Sequence, residues 1–539
     1  MTDDADATGA DATDANDAGA WSPNRRQLLV ALGFGAASAL ALSKLPSSHK
    51  TGVTKVQDRP TQSSGARPGQ PPTLAGADPN AVPGADHVFD RVITGGRVID
   101  PETGYDAVAN VGIDGNTIVA ISDKPLTGRA TITADGRVVA PGFIDMISYD
   151  PNEYGIWFKV ADGVTTNLGM HGMLMTADRF FSTYEGKSPC HYGGAYDNYY
   201  MRSDGGQKIS GSGAATPAQI SALTADIETQ LHQGWIGASF SPEYSPGIAD
   251  DEIAAQMTVA AKYGLPSFFH GRFSTDVPPD NNAKTLKEIL DLAKQTSSGV
   301  HVMHITSTGG TFQMAQSLAT LQAARDNDKI DVTACLYPYT FWATYIRSAR
   351  FAPGWQDRFH ITYSDLVVPG TGERLTKASF DHYRATVNKL VAAYAIPEAD
   401  VVTGLQSPFT MVGSDAILEP ANNNHPRAAG CFSRTLGYYA RDQKALSLTD
   451  ALAKMTILPA KRLEAKAPAL LKKGRLQQGA DADITIFDPN TIADRATVDN
   501  PAQESVGIDY VLVMGQIVKS PDGLHKELLP GQPIKSVLS

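Results

Sequence analysis

The chain has 539 residues, 42% of them hydrophobic and 19% charged, with 49 Gly, 33 Pro and a formal net charge of −11. This composition supports a large globular core, and beyond the N-terminal region no apolar run reaches membrane-spanning length, which excludes a polytopic membrane protein. The acidic balance and the absence of a Lys/Arg run exclude a nucleic-acid binder and leave a small molecule as the expected partner.

Residues 1–20 are rich in Asp, Ala and Thr and cannot bury enough apolar surface to fold. Asn24-Arg25-Arg26-Gln27-Leu28-Leu29 then opens an apolar run ending near Ser43. This is the pattern of a twin-arginine export signal, and the run is too short for a spanning helix. Export is therefore expected, with no stable membrane span after processing; an uncleaved anchor and an accidental arginine pair are the alternatives. Residues 44–86 are rich in Pro, Gly, Ser and Gln and read as a disordered linker.

Two short segments far apart in sequence look alike: DRVITGGRVID at 90–100 and DYVLVMGQIVKS at 509–520. Each sets a Gly between runs of β-branched residues, as a hairpin does. With DGNTIVAIS, ADGRVVAPG and ADADITIFDP they predict a small β-sandwich domain built from both chain ends, over 87–140 and 471–539. Between them, 141–470 alternates short apolar strands with helical patterns such as TPAQISALTADIETQLHQG and AKTLKEILDLAKQ. That rhythm predicts a parallel α/β fold. Residues 347–402 show no strand rhythm and many Pro, Arg and aromatic residues, so they read as an insertion near the mouth of the domain. The cysteines, Cys190, Cys335 and Cys431, are too few and scattered for a disulfide framework, although one bridge stays open.

Three of the twelve histidines close apolar strand-like runs: His171 after TTNLGM, His270 after GLPSFF and His304 after VHVM. Neutral imidazoles on separate strands can converge on one divalent ion and leave a position for water. A single such histidine is more often a hydrogen-bonded core residue; the shared placement of three favours a metal site. Asp415, in MVGSDA, is a strand-end carboxylate suited to act as general base toward a metal-activated water. It could also serve as an ordinary turn residue.

The order APGFID, GVTT, SPEYSPG, HGR, VHVMHIT, YPYT, VGSD and HPRAAGCFSRTLGYYARDQKALSLTDALAKMT resembles the N-acyl-D-amino-acid deacylases (D-aminoacylases) of the amidohydrolase superfamily. The resemblance covers about 87–520. It implies a (β/α)8 barrel over 141–470, of the TIM type found in metal-dependent hydrolases. It also implies hydrolysis of the amide bond of N-acyl-D-amino acids. Zinc is the implied cofactor, held by His171, His270 and His304, with His171 standing where the family typically has a Cys. Asp415 falls on the catalytic carboxylate. Tyr244 and Arg427 match the contacts to the substrate carboxylate, with Arg272 a weaker candidate, since it could simply orient neighbouring carboxylates.

The departures shape the expectation. Superfamily members carry H-x-H after the APGFID strand, and this chain has Ile147 and Tyr149 there, which predicts one ion rather than two. Thr306 replaces a Lys that helps to hold the substrate, and Glu243 replaces an apolar residue, as either a specificity determinant or an extra ligand. A related amidohydrolase acting on dipeptides or cyclic amides, or a catalytically silent homologue that only binds ligand, would share these motifs.

Overall fold

The computed structural model describes residues 71–76, 83–84, 86–420 and 425–538. The expected signal at 1–43 lies outside the described residues, as does most of the linker at 44–86. Among the described residues no helix is long and apolar enough to cross a membrane.

Eight short parallel strands form the centre: β1 (Phe143–Asp145), β2 (Val164–Gly169), β3 (His191–Gly194, continued in Tyr196–Asp197), β4 (Ala238–Phe240), β5 (Ser267–Phe269), β6 (Val300–Val302), β7 (Val332–Leu336) and β8 (Thr410–Val412). Each pairs in parallel with the next. The ring closes between β8 and β1, where Asp415 N donates to Ile147 O at 2.6 Å and Ser414 N to Asp145 Oδ1 at 3.0 Å. All eight strands are buried along their whole length, which is why they read as continuous apolar runs rather than alternating ones. Ile144, Met146, Leu168, Phe268, Met303 and Met411 fill the barrel interior. Helices return between the strands. Pro217–His232, for example, starts with Pro in its first turn behind a Thr216/Gln219 capping box, which satisfies otherwise unpaired N–H groups.

Both chain ends build one nine-stranded sheet. Its longest strand, Val88–Asp100, pairs antiparallel with Tyr105–Asp114 and parallel with Val138–Pro141. Val138–Pro141 in turn pairs antiparallel with Ile484–Phe487, which continues through Ile508–Val513 and Gln516–Ser520. Ile93, Val98, Val111, Ile484 and Leu512 form its solvent-free core.

Two expected boundaries need correction. The sheet ends at Gly523–Leu524, short of 539. Beyond it the tail crosses to the barrel: Tyr192 N donates to Gln532 O at 3.1 Å and Ile534 N to Tyr192 O at 2.7 Å, and Ile534 is fully buried among barrel residues. The insertion, expected at 347–402 without strands, begins at Trp342 and contains a four-stranded sheet. Trp342–Tyr345 and Leu366–Val368 both pair antiparallel with Leu390–Ala393, and Leu366–Val368 also pairs with Glu373–Arg374. Segments of two to four residues give no local periodicity.

Candidate active site and metal centre

His171, His270, His304 and Asp415 each follow the C-terminal end of a barrel strand, β2, β5, β6 and β8 respectively, the end where barrel sites are built. Two of them hold left-handed backbone, His304 at φ 32° and Asp415 at φ 51°, which non-glycine residues adopt at a cost and which clusters at functional sites. Closure of the barrel sustains it at Asp415, through the bond to Ile147 O. At His304 the backbone N–H is held by Cys335 Sγ at 3.3 Å.

The three imidazoles are buried, and one ligand atom from each lies within 4.8 Å of the others. Each ring has an outward nitrogen with a polar partner. His270 Nε2 donates to Glu243 Oε2 at 2.6 Å, His304 Nδ1 faces Ser307 Oγ at 3.3 Å, and His171 Nδ1 faces Ser241 Oγ at 3.4 Å. This is the second tier of contacts that fixes the ring orientation of metal-binding histidines. It leaves His171 Nε2, His270 Nδ1 and His304 Nε2 facing inward, the last two 3.2 Å apart. Burial lowers the pKa of His270 and His304 well below the usual imidazole value, so both rings are neutral and able to ligate. The residues therefore fit a divalent ion with nitrogen ligands. His304 Nε2 lies 3.9 Å from Asp415 Oδ2, and because the ring is neutral this is proximity rather than an ion pair.

Asp415 Oδ2 forms an ion pair with Arg427 Nη2 at 2.9 Å, and Tyr149 Oη donates to Oδ1 at 3.4 Å. Burial pushes the Asp415 carboxyl up, but the Arg427 guanidinium together with the neighbouring His304, His171 and His270 holds it below the ordinary carboxylate range. Arg427 also stacks over the Tyr337 ring, 4.2 Å from its centroid, and keeps Nε and Nη1 buried without partners. Ile147 is fully buried in the barrel interior and offers no ligand. Tyr149 stands over Gly172, where a Cβ would come within 2.3 Å of its ring, so glycine is required there.

A cavity of about 460 Å³ opens over the imidazoles. Tyr244 lines it, its ring 4.5 Å from that of His270 and its hydroxyl pushed up to about 12 by burial, so it remains protonated and can donate. Glu243 is not a lining residue; it connects His270 to Arg350 Nε, which lies 2.9 Å from Oε2. Arg272 does not reach the cavity. It is held by Glu288, at 2.7 Å from Nη2, and by Ile248 O, which makes it a loop-ordering ion pair rather than a substrate contact. Thr306 is fully buried and does not line the cavity, so it is not placed to touch a molecule bound there. The sequence did not single out Tyr337, Ser307 or Arg350 as site residues. Tyr337 has a visible signal in its YPYT motif, whereas Arg350 comes from the insertion, 107 residues from Glu243.

A model of the amidohydrolase family matches residues 399–519. The chain is 30% identical over 467 residues to the N-acyl-D-glutamate deacylase of Alcaligenes xylosoxydans xylosoxydans, covering 79% of this chain and 93% of that one. The chain belongs to the N-acyl-D-amino-acid deacylase family of amidohydrolases. Another member, the D-aminoacylase of the same organism, is 28% identical over 477 residues, covering 79% of this chain and 94% of the relative. Among solved members, the N-acyl-D-glutamate deacylase of Bordetella bronchiseptica, in complex with zinc and a phosphonate mimic of the tetrahedral intermediate, superposes with a TM-score of 0.71 at 26% identity over 83% of this chain and all of that one.

Proposed function

We propose that this chain hydrolyses the amide bond of N-acyl-D-amino acids, with one zinc ion held by His171, His270 and His304. The observation that carries this reading is the convergence of three buried imidazoles with Asp415 and with an arginine that has donors to spare. A zinc ion bound there would polarise the acyl carbonyl and lower the pKa of water. The rest of the chemistry belongs to the chain. Arg427, with Nε and Nη1 unpartnered, grips the substrate carboxylate, and Tyr244 donates a further hydrogen bond. Asp415 takes the proton of the attacking water as the C–O bond forms, then passes it to the leaving nitrogen as the C–N bond breaks, giving a carboxylate and a free amine. Ile147 is apolar and Tyr149 is bonded to Asp415, so neither offers an imidazole for a second ion, which supports one ion rather than two.

The test is metal per chain by elemental analysis, followed by turnover of N-acyl-D-amino acids, N-acyl-L-amino acids and dipeptides by the zinc-loaded protein. Hydrolysis confined to the D-series supports the reading; no hydrolysis of any of them at one zinc per chain overturns it. We also infer export through the Arg25–Arg26 segment. Retention of an Arg25→Lys/Arg26→Lys variant inside the cell, against an exported parent, is the expected result.

A further inference from the structure

Two buried arginines stand on the cavity wall, and each already faces a carboxylate. Arg427 meets Asp415 at 2.9 Å, and Arg350, from the insertion, meets Glu243 at the same distance. They differ in how many donors are engaged. Arg427 keeps two donor nitrogens without partners. Arg350 gives Nε to Glu243 and Nη2 to the Ser307 carbonyl, and its plane lies 4.5 Å over the Trp342 ring.

Glu243 is not free to swing aside. Its Oε2 also accepts from His270 Nε2 at 2.6 Å, and its Oε1 accepts from Ser274 Oγ at 3.0 Å. Around Arg350 the insertion offers the cavity Trp342, Tyr345 and Leu390, all uncharged. The remaining lining cation, Arg347, is exposed and spends Nε and Nη2 on the carbonyls of Arg384 and Ala385. A carboxylate brought against this wall would either lie beside Glu243 as a second anion or displace it and leave it buried and unpaired. Both are unfavourable for a pair as buried as Arg350 and Glu243.

Resting on the deacylase reading above, we propose that Glu243 sets the charge of this wall. By neutralising Arg350 it restricts the amino-acid side chain lying there to an uncharged aliphatic or aromatic group. Rejection of an acidic side chain then comes from a like charge built into the pocket, and acceptance of an apolar one from Trp342 and Leu390.

The experiment measures kcat/KM for N-acetyl-D-leucine and N-acetyl-D-glutamate with the zinc-loaded full chain. It compares the parent with Glu243→Gln, which keeps the side-chain shape without its charge, and with Glu243→Gln/Arg350→Gln, and determines metal per chain for each. The parent is expected to favour leucine by about 100-fold or more. Glu243→Gln should move the ratio at least ten-fold toward glutamate, and the second substitution should remove that shift. A parent that prefers glutamate overturns the proposal, as does an unchanged ratio in a Glu243→Gln protein that retains its metal. Should Glu243→Gln lose metal or fold, the parent's preference decides. Should nothing be turned over, the deacylase reading fails separately. Calorimetric binding of the same two compounds to the zinc-loaded parent then decides the proposal, tighter leucine binding supporting it and tighter glutamate binding overturning it.

Discussion

Arg427 touches Asp415 through one nitrogen only, Nη2 to Oδ2 at 2.9 Å, while its Nε and Nη1 stay buried without partners. Buried donors are ordinarily satisfied, so two orphans on one guanidinium mark a place for an acceptor that arrives with the substrate. Arg427→Met should lower kcat/KM by roughly 10- to 100-fold, the loss of one charged hydrogen-bonding contact. Arg427→Lys should recover only part of it, because an ammonium cannot form the two parallel bonds. Steady-state kinetics on an N-acyl-D-amino acid measures both, and an Arg427→Met protein with unaltered kcat/KM removes this residue from substrate binding.

Asp415 is the proton carrier in the proposed reaction and no ring nitrogen depends on it for orientation. Asp415→Asn should therefore lower kcat by about 10²- to 10⁴-fold while zinc per chain stays the same. Loss of the metal together with activity would instead make Asp415 part of the ion's own holding set.

The four residues that follow barrel strands were legible because a polar group ending a buried apolar run stands out locally. Glu243 was visible only as an oddity. Its meaning needed Arg350, brought to it by the insertion, and no spacing rule reaches across such a loop. Arg272 shows the reverse error: the HGR motif places it two residues from His270, but the chain after β5 turns its guanidinium to Glu288. The nine-stranded sheet was readable from its two Gly-centred repeats, whereas the C-terminal tail was not. Residues 525–538 have no alternation, and Pro530 and Pro533 interrupt any strand; backbone hydrogen bonds to Ser188, Tyr192 and Gly234 and the buried Ile534 tie them to the barrel, and none of these leaves a local pattern.

Ile147 and Tyr149 make a direct test of metal number possible. Equilibrium dialysis of the parent should saturate at one zinc per chain. Ile147→His/Tyr149→His restores two imidazoles on the chain that leaves β1, next to Asp415, and should raise saturation to two. Two tightly bound ions in the parent would show that other side chains supply the second set.

Four buried histidines, His270, His301, His304 and His425, have pKa values held well below the usual imidazole value, chiefly by burial. In the unfolded chain each regains a value near 6.5 and binds a proton that the folded, metal-free protein does not. Their contribution to stability is therefore complete above about pH 6.5 and is lost as pH falls below it. The slope approaches about 1.4 kcal/mol per pH unit for each ring. Denaturant unfolding of the metal-free chain between pH 7.5 and 5 measures this, and a stability that is flat over that range refutes it.

The barrel seam supplies the last test. Lys159 Nζ donates to Asp145 Oδ2 at 2.8 Å and to Ser414 Oγ at 2.5 Å, all fully buried, and Ser414 Oγ donates in turn to Asp145 Oδ2 at 2.6 Å. This network joins β1 to the residue preceding Asp415, so it supports both closure of the barrel and the left-handed turn that presents the carboxylate. Lys159→Met leaves Asp145 as a buried anion with hydrogen bonds but no cation, and should destabilise the fold by about 3–5 kcal/mol. Removing both charges with Asp145→Asn/Lys159→Met should cost less than removing the lysine alone, since no uncompensated charge then remains. Denaturant midpoints of the three proteins give the comparison. A double variant less stable than Lys159→Met would mean that the hydrogen bonds Asp145 accepts from Ser414, and not the relief of a lone buried charge, dominate the seam.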